Sequence, residues 1–466
     1  MKIEQIYTPC LAQGAYYIES EGEAAIVDPL RESRPYLNKA AKEKVKIKYI
    51  FETHFHADFV SGHVDLALKT GATIIFGPGA KTAYDIYEAK DEEIFNLGDI
   101  KIKVLHTPGH TMESSTYLVF DEDGKEHAIF SGDTLFIGGV GRPDLVQKGN
   151  ITQNDLAGYL FDSLREKVMT LPDDIIVYPA HGAGSACGKN LSKETKDILG
   201  NQKKTNYALR ADMTKEEFIH EVTDGMLPPP QYFARNVAMN KSAVMGVDEV
   251  LERGNVPLDV ETFEAMANNE EALILDCRKP GDFALGHIPN AVFIGIDGGF
   301  APWVGTLIPQ RQQPLIFIAD NGREEEVVTR LSRVGFDNTL GYLKGAFDTW
   351  RKAGKAIEVV KSITAFEFAD IYEREELNVL DVRKQSEYEV RHVENAQNFP
   401  LSYIRENTGR ITREKQYYIH CASGYRSMIA ASILKSEGFH HLINVAGGFK
   451  AIVETGTPTV SETEPK

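Results

Sequence analysis

The sequence predicts an α/β protein, and two patterns in the 466-residue chain support this fold class. In about the first 200 residues, apolar strand-like runs repeatedly end in histidine or aspartate, as expected where strand ends and loops converge at one sheet edge. In the remainder, strand and helix patterns alternate within two copies of one segment, which indicates parallel sheets. At about 150 residues per domain, the length allows about three domains.

Composition argues against several classes of partner. The formal net charge is −17, which disfavours nucleic acid or an anionic membrane surface, since both select basic patches. No segment has the roughly 20 uninterrupted apolar residues of a membrane helix. The first residues lack a basic region followed by an apolar run and a cleavage site, so we expect a cytoplasmic protein. The four cysteines are too few and scattered for a disulfide framework and are treated as thiols: Cys10, Cys187, Cys277 and Cys421.

The densest group of potential metal ligands is the segment THFHAD, which follows the predicted strand KIKYIFET. It contains His54, His56 and Asp58, and burying these side chains without a metal is costly because each needs its own hydrogen-bond partner. Histidine with aspartate suits zinc or iron, whereas calcium and magnesium sites consist mostly of oxygen. Further predicted strand ends carry His110, Asp133 and His181.

The contexts of these residues, THFHAD, TPGHT, SGDT and PAHG in this order, resemble the metallo-β-lactamase superfamily. The resemblance implies an αββα sandwich, in which two mixed sheets pack face to face with helices outside. We assign residues 1–240 to this domain and its C-terminal connector. In the connector, Leu227 to Pro230 cannot be helical and Asn236 to Ser242 has a mixed pattern.

The resemblance separates two kinds of metal site. Hydrolases of this superfamily, such as glyoxalase II, use two metals and have a histidine after the motif aspartate, where this chain has Phe59. Family dioxygenases that oxidise persulfides hold one iron through residues that correspond to His54, His110 and Asp133. Such a triad leaves adjacent positions for substrate sulfur and dioxygen. We therefore expect one Fe(II) per chain rather than zinc, with supporting roles for His56, Asp58 and His181.

Two further features have both a functional and a structural interpretation. The segment GRPD resembles persulfide dioxygenases, so Arg142 and Asp144 are candidates for shaping the substrate pocket, although a simple turn is the alternative. Cys187 follows His181 by six residues and is a candidate for relaying sulfur near the metal, with burial in the core as the alternative. His63 and His106 lie outside the motif positions and are interpreted as structural.

The second half of the chain contains a repeat with a constant offset of 105 residues. The segment from Ala272 aligns with the segment from Leu377, and the matches include Asp276 with Asp381 and Arg278 with Arg383. We assign the copies to residues 256–359 and 360–460. Each is long enough to be a domain rather than a short solenoid unit.

Only the second copy has a candidate nucleophile. Cys421 ends a predicted strand, and the NH groups of the following loop, the helix dipole and Arg426 favour a thiolate and can hold an anion or a sulfane sulfur. Four residues separate the two side chains, one fewer than in protein tyrosine phosphatases. The pattern CxxGxRS resembles the rhodanese (sulfurtransferase) domain, which implies that the cysteine carries a persulfide. Substrate contacts are then expected from Ser423, Gly424 and Tyr425.

The first copy has Asp320 at the position of the cysteine, so it cannot form a persulfide and we expect a structural or docking role. The whole chain resembles bacterial persulfide dioxygenase-rhodanese fusions. This resemblance implies oxidation of glutathione persulfide, coenzyme A persulfide or a similar compound with O2 to sulfite, and transfer of sulfur through Cys421 to give thiosulfate in sulfide detoxification. A zinc thioester hydrolase and a sulfur carrier or sensor remain alternatives. The sequence does not determine the oligomeric state, and a homo-oligomer is one of the alternatives.

Overall fold

A computed structural model describes residues 1–145, 151–189, 191–269, 271–308 and 312–462. The chain forms two compact units. The first comprises Met1–Val250 and Leu331–Phe336, and the second comprises Leu251–Arg330 and Asp337–Lys466. Among the described ranges, no helix combines the length and the apolar character needed to cross a membrane.

The first unit contains two six-stranded mixed sheets. The first sheet runs in the order β1 (Lys2–Thr8), β2 (Gln13–Ser20), β3 (Glu23–Val27), β4 (Lys46–Phe51), β5 (Thr73–Phe76), β6 (Tyr87–Glu88). Its first three strands are antiparallel neighbours, and β3 to β6 are parallel. The second sheet contains β7 (Ile94–Leu97), β8 (Ile100–His106), β9 (Ser115–Phe120), β10 (Glu126–Gly132), β11 (Ile176–Pro179) and β12 (Asp197–Ile198), with only β10 and β11 parallel.

Successive side chains of the strands point to opposite faces of the sheets, and they contribute to three apolar layers. On β2, Tyr16 and Ile18 face a core that both sheets share, whereas Ala15 and Tyr17 face a second core under helices. This period of two is the property of a strand that is buried on both faces. A third layer covers the outer face of the second sheet, where Leu118 and Ile129 pack with helix residues. The αββα sandwich predicted from the resemblance is confirmed.

Helices cover both outer faces of this sandwich. They are α1 (Arg34–Glu43), α2 (His63–Thr70), α3 (Gln153–Ser163), α4 (Leu199–Thr205), α5 (Lys215–Thr223) and α6 (Phe233–Asn240). The next helix, α7 (Val247–Gly254), spans the chain boundary between the two units. Helix α6 includes most of the segment predicted to be mixed. Its buried face carries polar Asn236 and Asn240, which obscure the amphipathic pattern by which a helix is recognised.

The second unit contains two five-stranded parallel sheets, as the repeat predicts. The first runs in the order β13 (Pro257–Leu258), β17 (Thr339–Leu343), β16 (Leu315–Ile318), β14 (Leu273–Asp276), β15 (Val292–Phe293). The second runs β18 (Lys361–Ile363), β23 (Leu442–Val445), β22 (Tyr417–His420), β19 (Val379–Asp381), β21 (Gln397–Asn398). A two-stranded antiparallel pair joins β20 (His392–Val393) to β24 (Thr459–Val460).

Helices connect these parallel strands. They are α8 (Val260–Asn269), α9 (Pro280–Leu285), α10 (Phe300–Leu307), α11 (Glu324–Ser332), α12 (Ala346–Lys352), α13 (Ala365–Tyr372), α14 (Gln385–Val390), α15 (Tyr425–Ser436) and α16 (Gly448–Glu454).

The residues that identify the repeat stabilise each copy in the same way. Arg278 is paired with buried Asp276 (2.6 Å) and donates to the carbonyl of Gly286 (2.8 Å). Arg383 is paired with buried Asp381 (2.5 Å) and donates to the carbonyl of Arg391 (2.8 Å). Buried charges need such pairing, so these matched positions are explained by the fold.

Candidate metal centre and sulfur-transfer loop

Three side chains converge in the first unit without satisfying one another. Asp133 Oδ2 lies 3.7 Å from His54 Nε2 and 3.3 Å from His110 Nε2. These three atoms are buried and have no hydrogen-bond partner. Leaving several polar atoms unpaired in a protein interior is unfavourable, and a cation between them removes that cost. The residues therefore fit a metal ion.

Hydrogen bonds at the opposite ring nitrogens orient both histidines. His110 Nδ1 donates to the carbonyl of Arg142 at 2.8 Å, which leaves the lone pair on Nε2. His54 Nδ1 lies 3.0 Å from Thr53 Oγ1, whose own proton goes to Asp28 Oδ2 at 2.8 Å. We assign the Nδ1–H tautomer to both rings on these contacts. Partners of this kind fix the direction of metal-binding imidazoles.

Burial and charge favour the protonation states that a metal requires. Burial lowers the pKa of His54 and of His110, so both rings are neutral at pH 7. Burial alone would raise the pKa of Asp133, but His181, His54 and His110 hold it well below the usual range for a carboxyl group. Neutral imidazoles and an ionised carboxylate are the forms that ligate a metal.

His181 links Asp133 to Asp58. Its Nδ1 lies 2.7 Å from Asp133 Oδ1, and its Nε2 lies 2.9 Å from Asp58 Oδ2. Burial opposes protonation of the ring, yet Asp133 and Asp58 raise the pKa of His181 well above the usual value for histidine. An imidazolium between two carboxylates thus orients Asp133.

Cys187 lies next to Asp58 and His181. The ligand atoms of Asp58, His181 and Cys187 lie within 4.8 Å of one another, so the thiol lies beside residues that support the metal ligands. Burial, followed by the charges of Asp58 and Asp133, raises the pKa of Cys187 well above the usual thiol value. The protonated thiol is a poor metal ligand and a poor nucleophile in this environment.

His56 faces a different group of acids. Its Nε2 lies 3.1 Å from Asp28 Oδ1 and 3.5 Å from Glu52 Oε2, while its ring centroid is 4.2 Å from that of His54. Phe59 packs on the ring of His56 at 4.4 Å and supplies no ligand atom. The supporting contact of His56 is therefore with two acids that the sequence reasoning missed. Asp28 follows β3 directly, so the strand-end pattern could have identified it.

The guanidinium of Arg142 is engaged within the protein. It contacts Asp144 at 2.6 and 2.8 Å, and it donates to the carbonyls of Ala186 (3.1 Å) and Leu227 (2.6 Å). These bonds fix the loop whose carbonyl orients His110. A direct contact of Arg142 with substrate, as the sequence suggests, would have to compete with these bonds.

In the second unit, backbone amides shape the loop around Cys421. The NH of Gly424 donates to Cys421 Sγ at 3.1 Å, and Gly424 has a φ of 103°, which favours glycine. The carbonyl of Cys421 accepts a hydrogen bond from the NH of Phe449 (2.6 Å). The carbonyl of Ala422 accepts one from the NH of Lys450 (3.1 Å). This geometry can hold an anionic sulfur.

Two side chains expected at this sulfur have other partners. Arg426 forms a bidentate ion pair with Glu387 (2.6 and 2.8 Å), and Tyr425 donates its hydroxyl proton to the carbonyl of Gly295 (2.6 Å). The roles expected of Arg426 in activating the thiol and of Tyr425 in binding substrate stay predictions, and both would have to compete with these bonds. Burial opposes ionisation of Glu387, but Arg426 lowers the pKa of this carboxyl group.

The corresponding loop of the first copy offers no sulfur. Strand β16 ends at Ile318, which pairs with Asp276 as His420 pairs with Asp381, so Ala319 and not Asp320 occupies the position of Cys421. Arg323 is paired with Asp297 at 2.7 Å and with Glu326 at 2.8 Å. Cys277, in the same copy, is buried, and burial raises the pKa of its thiol well above the usual value. The first copy is thus degenerate with respect to sulfur transfer.

Two family models match the two parts of the chain separately. The family model described as the Metallo-beta-lactamase superfamily matches residues 9–181. The model described as the Rhodanese-like domain matches residues 259–353 and 364–455. A solved metallo-beta-lactamase from Staphylococcus aureus subsp. aureus COL is 30% identical, covers 74% of this chain and 98% of its own, and has a TM-score of 0.65.

The curated relatives include two kinds of enzyme. The hydroxyacylglutathione hydrolase of Tolumonas auensis is 34% identical over 171 residues, which cover 36% of this chain and 60% of the hydrolase. The human mitochondrial persulfide dioxygenase ETHE1 is 28% identical over 233 residues, which cover 49% of this chain and 83% of the dioxygenase. The chain spans 58 to 60% of the length of three hydroxyacylglutathione hydrolases that it matches.

Proposed function

Because this chain belongs to the metallo-beta-lactamase superfamily and carries two rhodanese-like domains, we propose that it oxidises a low-molecular-weight thiol persulfide with O2 at a single ferrous ion. The product sulfite then receives sulfur from Cys421 to give thiosulfate. Glutathione persulfide and coenzyme A persulfide are the proposed substrates. The similarity to persulfide dioxygenase ETHE1 over 49% of the chain supports this assignment.

One observation carries the proposal: the unpaired atoms of His54, His110 and Asp133 form a set of two histidines and one carboxylate. Such a set is typical of non-haem Fe(II) oxygenases, because it leaves open coordination positions. Bound ferrous iron supplies the redox chemistry that lets dioxygen react with a persulfide. In the overall reaction, one persulfide, one O2 and one water give one thiol, one sulfite and two protons.

The surrounding residues of the chain hold the ligands in position. The carbonyl of Arg142 keeps the proton of His110 on Nδ1, so Nε2 stays available. Protonated His181 donates from Nδ1 to Asp133 Oδ1 and forms an ion pair through Nε2 with Asp58, which leaves Asp133 Oδ2 as the ligating oxygen. Outer partners of this kind contribute about 10- to 100-fold to metal affinity or activity.

The groups that contact the transferred sulfur lie in the Cys421 loop of the second unit. A Cys421 persulfide is attacked at its outer sulfur by sulfite, a new S–S bond forms, and the cysteine leaves as a thiolate. The products are thiosulfate and the free Cys421 thiolate. A second substrate persulfide, RSSH, restores the Cys421 persulfide by transferring its outer sulfur to this thiolate, and it leaves as the thiol RSH. The NH of Gly424 donates to Sγ and can stabilise the leaving thiolate.

A zinc thioester hydrolase is the second candidate, and a specific observation favours it. Asp58, His181 and Cys187 form another buried group of potential ligands, and the chain is similar to hydroxyacylglutathione hydrolases. Against it, both ring nitrogens of His181 face carboxylates, and Phe59 provides no ligand atom. Rhodanese-like domains then would serve as a sulfur carrier or sensor.

Metal content and substrate turnover discriminate these candidates. We expect about one iron per chain after anaerobic reconstitution, O2 uptake with glutathione persulfide, and no hydrolysis of S-lactoylglutathione. About two zinc ions per chain with thioester hydrolysis and no O2 uptake would favour the hydrolase. Neither activity, together with a persulfide on Cys421, would favour a carrier or sensor.

Replacement of the thiol separates the two steps. We expect Cys421→Ser to keep O2 uptake and to release sulfite in place of thiosulfate, because the metal ligands lie in the other unit. Cys277→Ser, which alters a buried thiol in the degenerate copy, is the matched control and should still form thiosulfate. Thiosulfate formation by Cys421→Ser at the wild-type rate would contradict the role of this residue.

A further inference from the structure

The second unit brings the degenerate copy into contact with the sulfur-transfer loop of the active copy. Tyr425, the residue after Gly424 in this loop, extends its side chain to the degenerate copy. Its hydroxyl donates to the carbonyl of Gly295 at 2.6 Å, and its ring centroid lies 6.0 Å from that of Phe293 at an angle of 70°. The ring is therefore held both by a hydrogen bond and by an edge-to-face contact.

The degenerate copy has no space for a larger residue beneath this ring. A Cβ added to Gly298 would lie 2.3 to 2.6 Å from three carbons of the Tyr425 ring. The Gly298 backbone has no positive φ that would by itself demand glycine. Close approach of the tyrosine ring thus explains the glycine, and Phe293, Gly295 and Gly298 form a recess that receives Tyr425.

Helix α15 continues the contact away from the loop. Ser432 Oγ accepts from the NH of Phe293 at 2.9 Å, and Lys435 forms an ion pair with Glu358 at 3.2 Å. The degenerate copy therefore contacts the helix that begins at Tyr425 as well as the loop that precedes it. Movement of Tyr425 out of its recess would change the direction in which the loop enters this helix.

The position of Tyr425 is coupled by the backbone to the sulfur atom. Gly424, its direct neighbour, donates its NH to Cys421 Sγ at 3.1 Å and has a φ of 103°. The Cys421 side of the loop is fixed by NH groups of the active copy, at Phe449 and Lys450. The other side is held by Tyr425 and by Ser427 Oγ, which donates to the carbonyl of Gly424 at 3.2 Å. Displacement of the tyrosine is therefore expected to turn the amide of Gly424.

We propose that the degenerate rhodanese copy is a positioning element for sulfur transfer: its recess at Phe293, Gly295 and Gly298 holds Tyr425, and Tyr425 holds the Gly424 amide against Cys421 Sγ. This inference rests on the proposed role of Cys421 as the sulfur carrier. Tyr425 and Gly298 are positioning residues. Loss of the cysteine from the first copy is then compatible with a retained function, because that function needs its surface and not its own loop.

The test is a double-mutant cycle in the full-length protein. Gly298→Ala places a methyl group where the Tyr425 ring lies, and Tyr425→Ala removes the ring. Each variant is assayed for sulfur transfer from thiosulfate to cyanide and for alkylation of Cys421 by iodoacetamide, which needs no transfer activity. Gly281→Ala is the matched control, because a Cβ at that helix position meets nothing within 4 Å.

We expect Gly298→Ala to lower kcat/KM and the alkylation rate by about tenfold, while Gly281→Ala changes neither by more than about twofold. On the Tyr425→Ala background, the added methyl should have little further effect, because residues in contact are not additive. An equal loss on both backgrounds, or no loss from Gly298→Ala, would overturn the proposal.

Conservative replacement provides a readout if the glycine variant does not fold. Tyr425→Phe keeps the ring in the recess and loses only the bond to Gly295, so we expect activity within about threefold of wild type. Tyr425→Ala should lose about tenfold in both assays. Equal behaviour of these two variants would overturn the proposal. If Cys421 is alkylated at the same rate in the wild type and in all variants, and the wild type transfers no sulfur, the proposed function is contradicted instead.

Discussion

His181 lies between Asp133 and Asp58, and this arrangement distinguishes it from a direct metal ligand. Its ring is charged because the two carboxylates raise its pKa against the effect of burial. We predict that His181→Asn weakens iron binding by about 10- to 100-fold, since Asp133 loses the donor that orients it. Competition with a chelator measures the change. His106→Asn, which alters a ring bonded to the carbonyl of Met112, should leave iron affinity unchanged.

The three proposed metal ligands give a stronger prediction. Removal of the imidazole in His110→Ala leaves only two of the three converging atoms, and the protein should purify with less than about a tenth of the wild-type iron after reconstitution. Sulfur transfer from thiosulfate to cyanide should be retained, because Cys421 belongs to the other unit. Full iron occupancy in His110→Ala, determined by elemental analysis, would show that the ligand set is wrong.

The pairing of Arg426 with Glu387 limits the positive charge available to a substrate anion. We predict that Glu387→Gln lowers KM for thiosulfate by about three- to tenfold, because the guanidinium is no longer neutralised. The pair needs ionised Glu387, whose pKa is lowered in the fold, so it persists through the neutral range and is lost as pH falls through that lowered value.

Thiosulfate kinetics at pH 7 test the charge of this pair. Glu389→Gln changes a neighbouring acid outside the ion pair and is the matched control. A KM for thiosulfate that is equal in both variants and the wild type would contradict a role for the pair.

Helix α6 fixes the segment that carries the first metal ligand. Asn240, at its last position, donates to the carbonyls of His56 and Phe59 and accepts from the NH of Ser61, each at 2.8 Å. One side chain thus satisfies three buried backbone groups of the motif. The helix belongs to the connector, which links this otherwise weakly patterned part of the sequence to the metal site.

We predict that Asn240→Leu destabilises the first unit by about 3 kcal/mol, because each unpaired buried group costs about 1 to 3 kcal/mol and some relaxation occurs. The thermal transition of that unit should fall by about 6 to 12 °C. Ser242→Ala removes only a bond from an exposed hydroxyl to the carbonyl of Ala238 and should change little. An unchanged transition in Asn240→Leu would contradict this role of the helix.

The sequence predicts the positions of the strands better than it predicts the contacts between loops. Strands β4, β8, β10 and β11 precede the predicted ligands because apolar runs and strand ends are local properties of the chain. Long-range partners are a different matter. Apart from Asp144, the hydrogen-bond partners found for Arg142, Arg426 and Tyr425 lie tens of residues or more away along the chain, so composition and spacing do not reveal them. For charged side chains in particular, the sequence predicts a substrate contact, and the fold also provides an internal partner.

The molecule as a whole joins a metal-binding αββα unit to a unit of two parallel sheets. The duplication was recognisable because buried ion pairs such as Asp276 with Arg278 recur at a fixed offset. The two sheets also have equivalent strand orders. The duplicated copies differ at the nucleophile, which accounts for one active loop in the second unit.

The central claim is that persulfide is oxidised at the site formed by His54, His110 and Asp133. Its most direct test is the ratio of O2 consumed to sulfite formed by iron-loaded Cys421→Ser with glutathione persulfide, since this variant cannot convert sulfite into thiosulfate through Cys421. We predict a ratio of about one, with no O2 uptake in the zinc-loaded protein. Removal of persulfide by the iron-loaded variant without O2 consumption would contradict the account.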